Sequence, residues 1–334
     1  MGDQIIPRYC NTIQTPSPVY LVDSGYATIS ENTLTVPWYG GNCISISTNN
    51  GKKITITGNT LTGYCGIVAN SMTNSEFVGN TIASGQYGIF LGASQRNNVS
   101  NNTIMPQSST AGPYGMYLTG SHNNTVSNNS FVPNPLFAGS HIGFGITFES
   151  CNTNEVRGNT LRNCSGSAIY VSGGSQLNTL SLNTITGSMR GFYVSNGPTQ
   201  NNMSSNSISG STDGGFVIQN AISNTIYGNS IESGNYGLEL IDSVSSTTCS
   251  ENKVLDNNYG VWIRYSAGNF IYHNDFVSNI QQISQWSGDL SLNTWNDVYP
   301  LGGNYWSNYA GVDVMKGSTQ TVPGADGIGD TPYG

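Results

Sequence analysis

The chain has 334 residues, of which 36% are hydrophobic and only 8% are charged, and its formal net charge is −8. It has no run of Lys and Arg, so the charge neutralisation that drives binding to nucleic acids is missing, and DNA and RNA are discounted as partners. No apolar run approaches the roughly 20 residues that a membrane-spanning helix needs. Because 10% of the residues are aromatic and apolar residues recur at fixed offsets, the chain is predicted to fold.

A short motif recurs from one end of the chain to the other: an Asn, then Thr or Ser, then an apolar residue. We call this Asn the anchor. Successive anchors are mostly 21 to 24 residues apart, and the spacing reaches 27 to 30 where segments are inserted. The anchors are Asn11, Asn32, Asn59, Asn80, Asn102, Asn129, Asn159, Asn183, Asn206 and Asn229, with less regular copies at Asn257 and Asn274.

Two further elements accompany each anchor. One has the form Gly–apolar–x–apolar, as in GMYL at 115–118 and GLEL at 237–240. The other, N-x-apolar, precedes the next anchor, as in NTV at 124–126. The elements are short, alternate with a period of two and are bounded by Gly and Asn, which is typical of strands. A period of about 22 residues with three strands predicts an all-β solenoid of about twelve coils, a parallel β-helix, since the leucine spacings of leucine-rich repeats are absent.

Several phrases carry a family resemblance. NNTVSNN, GNTIASGQYGIFL and GNSIESGNYGLEL, with GGNYWSNY and DGIGDTPY in the tail, resemble the NosD-like right-handed β-helix proteins. These belong to the carbohydrate-binding and sugar-hydrolase repeats of microbial and archaeal surfaces, and the resemblance implies a right-handed parallel β-helix over nearly the whole chain. The family is associated with copper delivery to nitrous oxide reductase. Copper needs clustered His, Cys or Met, whereas His122, His141 and His273 are far apart in sequence, so copper binding is not predicted.

The C-terminal part changes in composition, with Trp286, Trp295 and Trp306 within about twenty residues. Parallel solenoids need caps against indefinite stacking. We therefore predict that residues 1–285 form the β-helix and that residues 286–334 form a Trp-rich cap.

No cofactor is predicted, with calcium as the one alternative; the acidic residues of the tail that would hold it are Asp313, Asp326 and Asp330.

The six cysteines include no C-x-x-C pair. They are predicted to be small buried residues. In an oxidising compartment they could form disulfides, and Cys43–Cys65 is the first pair to test.

The residue between the two apolar positions of Gly–apolar–x–apolar points outward if that element is a strand. Many of these positions are aromatic, although a face in water has no need of aromatic residues, and an exposed apolar surface marks an interaction site. We predict a surface for a glycan or for another copy of the chain; the alternative is that aromatic residues simply pack well on strands. The residues are Tyr20, Phe90, Tyr117, Tyr170, Tyr193 and Trp262.

The acidic residues scatter along the chain and form no dense column. Enzymes that cleave or epimerise polysaccharides need closely spaced carboxylates, often with a basic residue. The one catalytic candidate is Glu239 with Asp242, and Arg264 lies about one coil further along the chain. The alternative is a group of solvated surface charges.

These observations favour a non-catalytic extracellular or cell-surface protein, for which the chain itself shows no signal or anchor. Its long face is predicted to serve adhesion, carbohydrate binding or structural assembly, with a filament or surface layer as one form of that assembly. The predicted partner is a glycan or further copies of the chain. The alternative function is that of a polysaccharide-active enzyme: a lyase, hydrolase or epimerase.

Overall fold

The computed structural model describes residues 18–37, 40–49, 51–107, 112–136, 139, 141–287 and 290–333. The chain winds into a right-handed parallel β-helix of about eleven turns, which confirms the predicted fold class. Each complete turn contributes one strand to each of three sheets, which we call A, B and C in chain order. Strands of the same sheet pair in parallel with the turns before and after them.

Sheet A contains the Gly–apolar–x–apolar elements. Two long strands run without a break from sheet C into sheet A, and their second parts belong here. The strands of sheet A are Val19–Leu21, Asn42–Ile46, the ends of Thr60–Asn70 and Thr81–Gly92, Tyr114–Thr119, Phe144–Glu149, Ser167–Ser172, Arg190–Ser195, Gly214–Gln219, Tyr236–Ile241, Tyr259–Arg264 and Gln281–Gln285.

Sheet B contains the N-x-apolar elements, and its strands are mostly three residues long. Most of them place polar residues on either side of one buried apolar residue. The strands are Ala27–Ser30, Ile54–Thr57, Glu76–Val78, Asn98–Ser100, Thr125–Ser127, Glu155–Arg157, Thr179–Ser181, Asn202–Ser204, Thr225–Tyr227, Thr248–Ser250 and Phe270–Tyr272.

Sheet C begins directly after the anchors. Its strands are Thr33–Thr35, the beginnings of Thr60–Asn70 and Thr81–Gly92, Thr103–Pro106, Ser130–Phe131, Thr160–Arg162, Thr184–Thr186, Ser207–Ser209, Ser230–Glu232, Lys253–Leu255, Asp275–Val277 and Tyr305–Trp306.

The core is a set of apolar columns inside the coil, because no single turn can bury its apolar residues by itself. The residue two positions after each described anchor enters this core from sheet C, from Leu34 to Ile231 and again at Phe276. Tyr259, two positions after Asn257, instead lies half-buried on the outside of sheet A, and Val254 takes the core position.

The anchors form a buried ladder between sheets B and C. The side-chain N–H of each donates to the side-chain oxygen of the next at 2.8 to 3.1 Å. The prediction that Asn257 is an anchor is wrong, because Asn257 bonds to Asn279 at a different corner. Asn252 takes its place, followed by Lys instead of Thr or Ser, and Asn11 lies outside the described residues. The ladder is Asn32, Asn59, Asn80, Asn102, Asn129, Asn159, Asn183, Asn206, Asn229, Asn252, Asn274 and Asn304.

The cysteines that the structure describes are free thiols in the interior, which confirms their predicted burial, and Cys43 and Cys65 are not joined. Burial raises the pKa of Cys43 to about 12 and that of Cys65 to about 11. Cys10 lies outside the described residues.

The C-terminal segment covers the last coil. The Trp306 ring stacks on the core residue Phe276 at 4.5 Å, and Tyr333 stacks on the other side of Trp306 at 4.6 Å. A short helix at Leu290–Leu292 and a hairpin of Met315–Lys316 with Val322–Pro323 complete the segment. That the β-helix ends at residue 285 stays a prediction.

Candidate binding surface on sheet A

Sheet A presents two outward columns of side chains. The first is the predicted one, between the two apolar positions, and pairs Phe90 with Tyr117. The second lies three residues earlier on each strand and pairs Tyr87 with Tyr114. The residues between the columns are buried, as Met116 is, so both columns face outward on one surface.

On five successive coils at least one of the two columns carries an aromatic ring, and the remaining positions are Thr147, Ser167 and Arg190. Rings on neighbouring coils lie 5.0 to 5.8 Å apart, centroid to centroid. At about 4.8 Å per coil, the rings extend over about 19 Å along the axis. We call this surface the aromatic tract, and its half-buried members are Tyr87, Phe90, Tyr114, Tyr117, Phe144, Tyr170 and Tyr193.

Hydrogen bonds hold the tyrosine hydroxyls of Tyr117 and Tyr193 in the tract. The Tyr117 hydroxyl donates to the Glu149 carboxylate, and the Tyr193 hydroxyl donates to Gln219 Oε1 at 2.5 Å. Burial, and then the hydrogen bond to Glu149, raise the pKa of Tyr117 above its usual value, so this phenol remains a donor. These two rings are therefore held in place without a ligand.

The structure separates two of the predicted aromatic residues from the tract. Tyr20 is 65% exposed on the first coil, and Ser45 and Val68 lie between it and the other rings of its column. Trp262 instead stacks on Tyr236 at 5.0 Å. The sequence reasoning missed the second column, although an aromatic residue directly before the Gly of the repeat marks it: Tyr87, Tyr114, Phe144, Tyr236 and Tyr259.

A group of charged side chains follows the tract on the same face, and we call it the charged cluster. It brings together the three catalytic candidates and two residues that the sequence reasoning missed. Arg190 Nε donates to Asp213 Oδ2 at 2.7 Å, and Arg264 Nη2 donates to both Asp242 oxygens at 3.0 and 3.1 Å. Glu239 lies near both ion pairs.

Glu239 is the buried member of the charged cluster. Its side chain is only 6% exposed, and its Oε2 atom has no hydrogen-bond partner. Burial and then the Asp213 carboxylate raise the pKa of Glu239 to about 7, against the opposing effects of Arg190 and Arg264. Glu239 therefore gains or loses its proton near neutral pH.

The charged cluster and the aromatic tract are continuous. The Arg190 guanidinium lies over the Tyr193 ring, 4.5 Å from its centroid. Gln219 accepts from Tyr193 and donates to Asp242 Oδ2 at 2.8 Å, which links the tract to the second ion pair. A ligand that lies along the axis would therefore contact apolar rings first and polar groups next.

Among the described residues, the histidines and cysteines do not come together as a copper site. His122 Nδ1 accepts from the backbone N–H of Asn152, and His273 lies against Glu251. The described cysteines are buried thiols, and among the residues that the structure describes no three His, Cys, Asp or Glu side chains are grouped to hold a metal ion.

Calcium binding at the predicted tail residues stays a prediction. Their carboxylates accept backbone N–H groups: Asp313 from Asp326 and Gly327, Asp326 from Gly317, and Asp330 from Val314 and Met315. These hydrogen bonds connect residues 313–317 to residues 326–330 within the C-terminal segment.

Comparisons with known proteins agree with the fold. Residues 140–311 match the family model described as periplasmic copper-binding protein (NosD), and residues 17–185 match the model described as right handed beta helix region. None of the curated proteins gives a significant match. No helix among the described residues has the length and apolar character needed to cross a membrane.

Several solved structures have a similar fold. The Dettilon tailspike protein has a TM-score of 0.67 and 17% identity over 85% of this chain, which spans 62% of the tailspike chain. A double mutant of the periplasmic alginate epimerase AlgG has a TM-score of 0.62 and 13% identity over 80% of this chain and 71% of its own. PfbA, a surface adhesin of Streptococcus pneumoniae, has a TM-score of 0.55 and 13% identity over 81% of this chain and 85% of its own. At these identities the similarity concerns the fold alone.

Proposed function

The chain belongs to the NosD family of right-handed β-helix proteins, and from that premise we propose that it binds carbohydrate without converting it, through the outer face of sheet A. The observation that carries this proposal is the aromatic tract. Its flat apolar surfaces with polar edges suit the faces of sugar rings, and its length of about 19 Å suits an extended chain of sugars.

The other sheets of the same molecule support a binding role over a packing role. Sheets B and C stack in the same parallel way, yet their outward positions are mostly Thr, Ser, Asn or charged residues. In the described part of these two sheets, the outward aromatic residues are few and lie near the C-terminal end, at Tyr227, Phe270, Tyr272 and Tyr305. Coil stacking therefore does not require outward rings, and their concentration on sheet A needs another reason.

The proteins of similar fold are compatible with this proposal. One of them is an alginate epimerase, which acts on a polysaccharide, and another is a surface adhesin. We also propose a location outside the cytoplasm, in a periplasm or at a cell surface. The matching family model and the epimerase are described as periplasmic, which supports that location.

The test is binding to an array of oligosaccharides and polysaccharides, followed by calorimetry on each array member that is bound. We expect saturable binding, weakened about 5- to 150-fold in the double variant Tyr117→Ala/Tyr193→Ala, since each aromatic contact contributes about 0.5–1.5 kcal/mol. Tyr227→Ala is the matched control, because this tyrosine is 49% exposed on sheet B.

Two outcomes would contradict carbohydrate binding by the tract. One is that the parent binds nothing on the array. The other is that the double variant binds as well as the parent. If nothing binds and light scattering shows a mass that grows with concentration, the tract is instead a contact between copies of the chain.

A polysaccharide-active enzyme is the second candidate, and Glu239 is the observation that favours it. A carboxyl group with a raised pKa near other carboxyl groups is the usual arrangement of a general acid and its partner. The test is incubation with the bound polysaccharide, followed by assays for new reducing ends and unsaturated uronates. Product formation that Glu239→Gln abolishes would establish the enzyme and overturn the non-catalytic proposal.

A further inference from the structure

We propose that the charged cluster, together with the stacked rings of Tyr236 and Trp262, forms a subsite for one neutral sugar residue, with the Glu239 carboxyl as its buried polar contact. This inference rests on the proposed function, because it takes the glycan to lie along sheet A. It adds the class of sugar and the residues that recognise it.

The first observation is an interruption in the outward columns of sheet A. Strand Gly214–Gln219 carries Gly214 and Val217 where neighbouring strands carry long or aromatic side chains. The Glu239 carboxyl leans towards this strand, since a Cβ added to Gly214 would lie 3.4 Å from Glu239 Oε2. The rings of Tyr193 and Trp262 bound the interruption on its two sides, three coils or about 14 Å apart.

The second observation is the presence of polar atoms without partners at this place. Glu239 Oε2 and Arg264 Nε are both buried and have no hydrogen-bond partner in the protein. A buried polar atom without a partner is costly, and few occur in folded proteins. A sugar hydroxyl can both donate and accept, so it supplies the kind of partner that each of these atoms lacks.

The charges of the cluster favour a neutral sugar over an acidic one. Each arginine already has its own carboxylate, Asp213 for Arg190 and Asp242 for Arg264. No cation of the cluster is left uncompensated, and the chain as a whole carries a net charge of −8. An anionic sugar would therefore find no excess positive charge, whereas neighbouring hydroxyls match the planar guanidinium and carboxylate groups.

The protonation of Glu239 adds a second readout. Asp213, Asp242, Arg190 and Arg264 surround it, and its pKa is raised to about 7, chiefly by burial. A ligand that covers the site removes water from the Glu239 side chain. This desolvation costs more free energy for the ionised carboxylate than for the neutral carboxyl group. Affinity is therefore expected to fall as the pH rises through 7.

The experiment measures binding by calorimetry at pH 6 and pH 8 with two sets of hexasaccharides. The neutral set contains gluco-, manno- and galacto-oligosaccharides, and the acidic set contains oligogalacturonate and oligoalginate. Trp262→Ala and Glu239→Ala remove the proposed contacts, while Glu239→Gln keeps the shape and removes the charge. Glu232→Gln is the control, because this glutamate is exposed on sheet C. Melting temperatures report whether each variant is folded.

The expected result is binding of at least one neutral hexasaccharide, weakened about tenfold or more by Trp262→Ala and Glu239→Ala and unchanged by Glu232→Gln. Glu239→Gln should keep the pH 6 affinity and lose the fall at pH 8. Tighter binding of the acidic set, or parent-like affinity in both Trp262→Ala and Glu239→Ala, overturns the subsite. If Tyr117→Ala/Tyr193→Ala still loses binding in that case, the proposed function stands; no binding to either set overturns both.

Discussion

Asn129 receives two hydrogen bonds from Asn102 on the coil before it. The backbone N–H of Asn102 donates to Asn129 Oδ1 at 3.0 Å, and its side-chain N–H donates to the same atom at 2.9 Å. Asn129 in turn donates to Asn159 and to the carbonyl of Val99. The anchor thus joins neighbouring coils on both sides, inside the protein and away from water.

Asn129→Ala should lower the free energy of unfolding by about 2–4 kcal/mol, because it leaves several buried donors and acceptors without partners. The measurement is the midpoint of urea unfolding. Asn202→Thr is the control, since Asn202 is exposed on sheet B and its column already carries Thr at 179 and 225. Similar midpoints for the two variants would contradict a stabilising role of the ladder.

Gly115→Ala should destabilise the protein by about 1–3 kcal/mol, as overpacking does. A Cβ at Gly115 would lie 2.5 Å from a ring carbon of Phe131 and 2.6 Å from the carbonyl oxygen of Gly145. Gly40→Ala is the control, because nothing lies within 4 Å of the added atom there. Thermal unfolding compares the variants. An unchanged melting temperature for Gly115→Ala would show that the coil accommodates the added methyl group without losing stability.

The free energy of unfolding of the parent, compared with that of Glu239→Gln, should be lower at pH 8 than at pH 4. Burial raises the folded pKa of Glu239 from 4.5 to about 7, so its contribution is fully present below pH 4.5 and is lost as the pH rises through 7. The loss is at most about 3 kcal/mol. Urea unfolding of both proteins across this pH range checks it; a constant difference between them would mean that folding does not shift the pKa of Glu239.

The five described cysteines should resist alkylation in the native protein. Burial raises the pKa of Cys164 and of Cys249 to about 12, and the thiolate is the reactive form. Peptide mapping after iodoacetamide treatment, with and without denaturant, measures labelling at each site. Native labelling of Cys164 or Cys249, or a Cys43–Cys65 cross-link in the isolated protein, would contradict this prediction.

Trp306→Ala should increase association between copies of the chain. Trp306 covers Phe276 at the last coil, and an uncovered end presents apolar surface and unpaired strand edges. Light scattering over a range of concentrations measures the mass. Trp286→Ala is the control, because this ring is 67% exposed, and equal monomeric behaviour of both variants would show that the cap does not prevent association.

The fold followed from the repeat because each coil repeats the same requirement. The apolar residue two positions after an anchor must enter the core in every turn, so Ile104, Phe131 and Leu161 align in the sequence as they do in space. The repeat chemistry changes at Asn252, which is followed by Lys253 instead of Thr or Ser, so the sequence pattern does not mark this member of the ladder.

The site was less predictable because its members meet across coils. The outward position of Tyr117 and Tyr193 follows from strand alternation alone, and so does that of Trp262. Arg190 and Asp213 are separated by 23 residues, and their contact depends on the register of neighbouring coils and on the direction in which each long side chain extends.

The sequence by itself determined the β-helix, its buried anchors and one of its two aromatic columns, because these repeat with the period of the coil. Only the tertiary structure decided that the rings between Tyr87 and Tyr193 form one continuous tract, and that Glu239 is buried near two ion pairs. Burial and charge pairing depend on which side chains from adjacent coils occupy the same space, and the spacing of residues along the chain does not fix that.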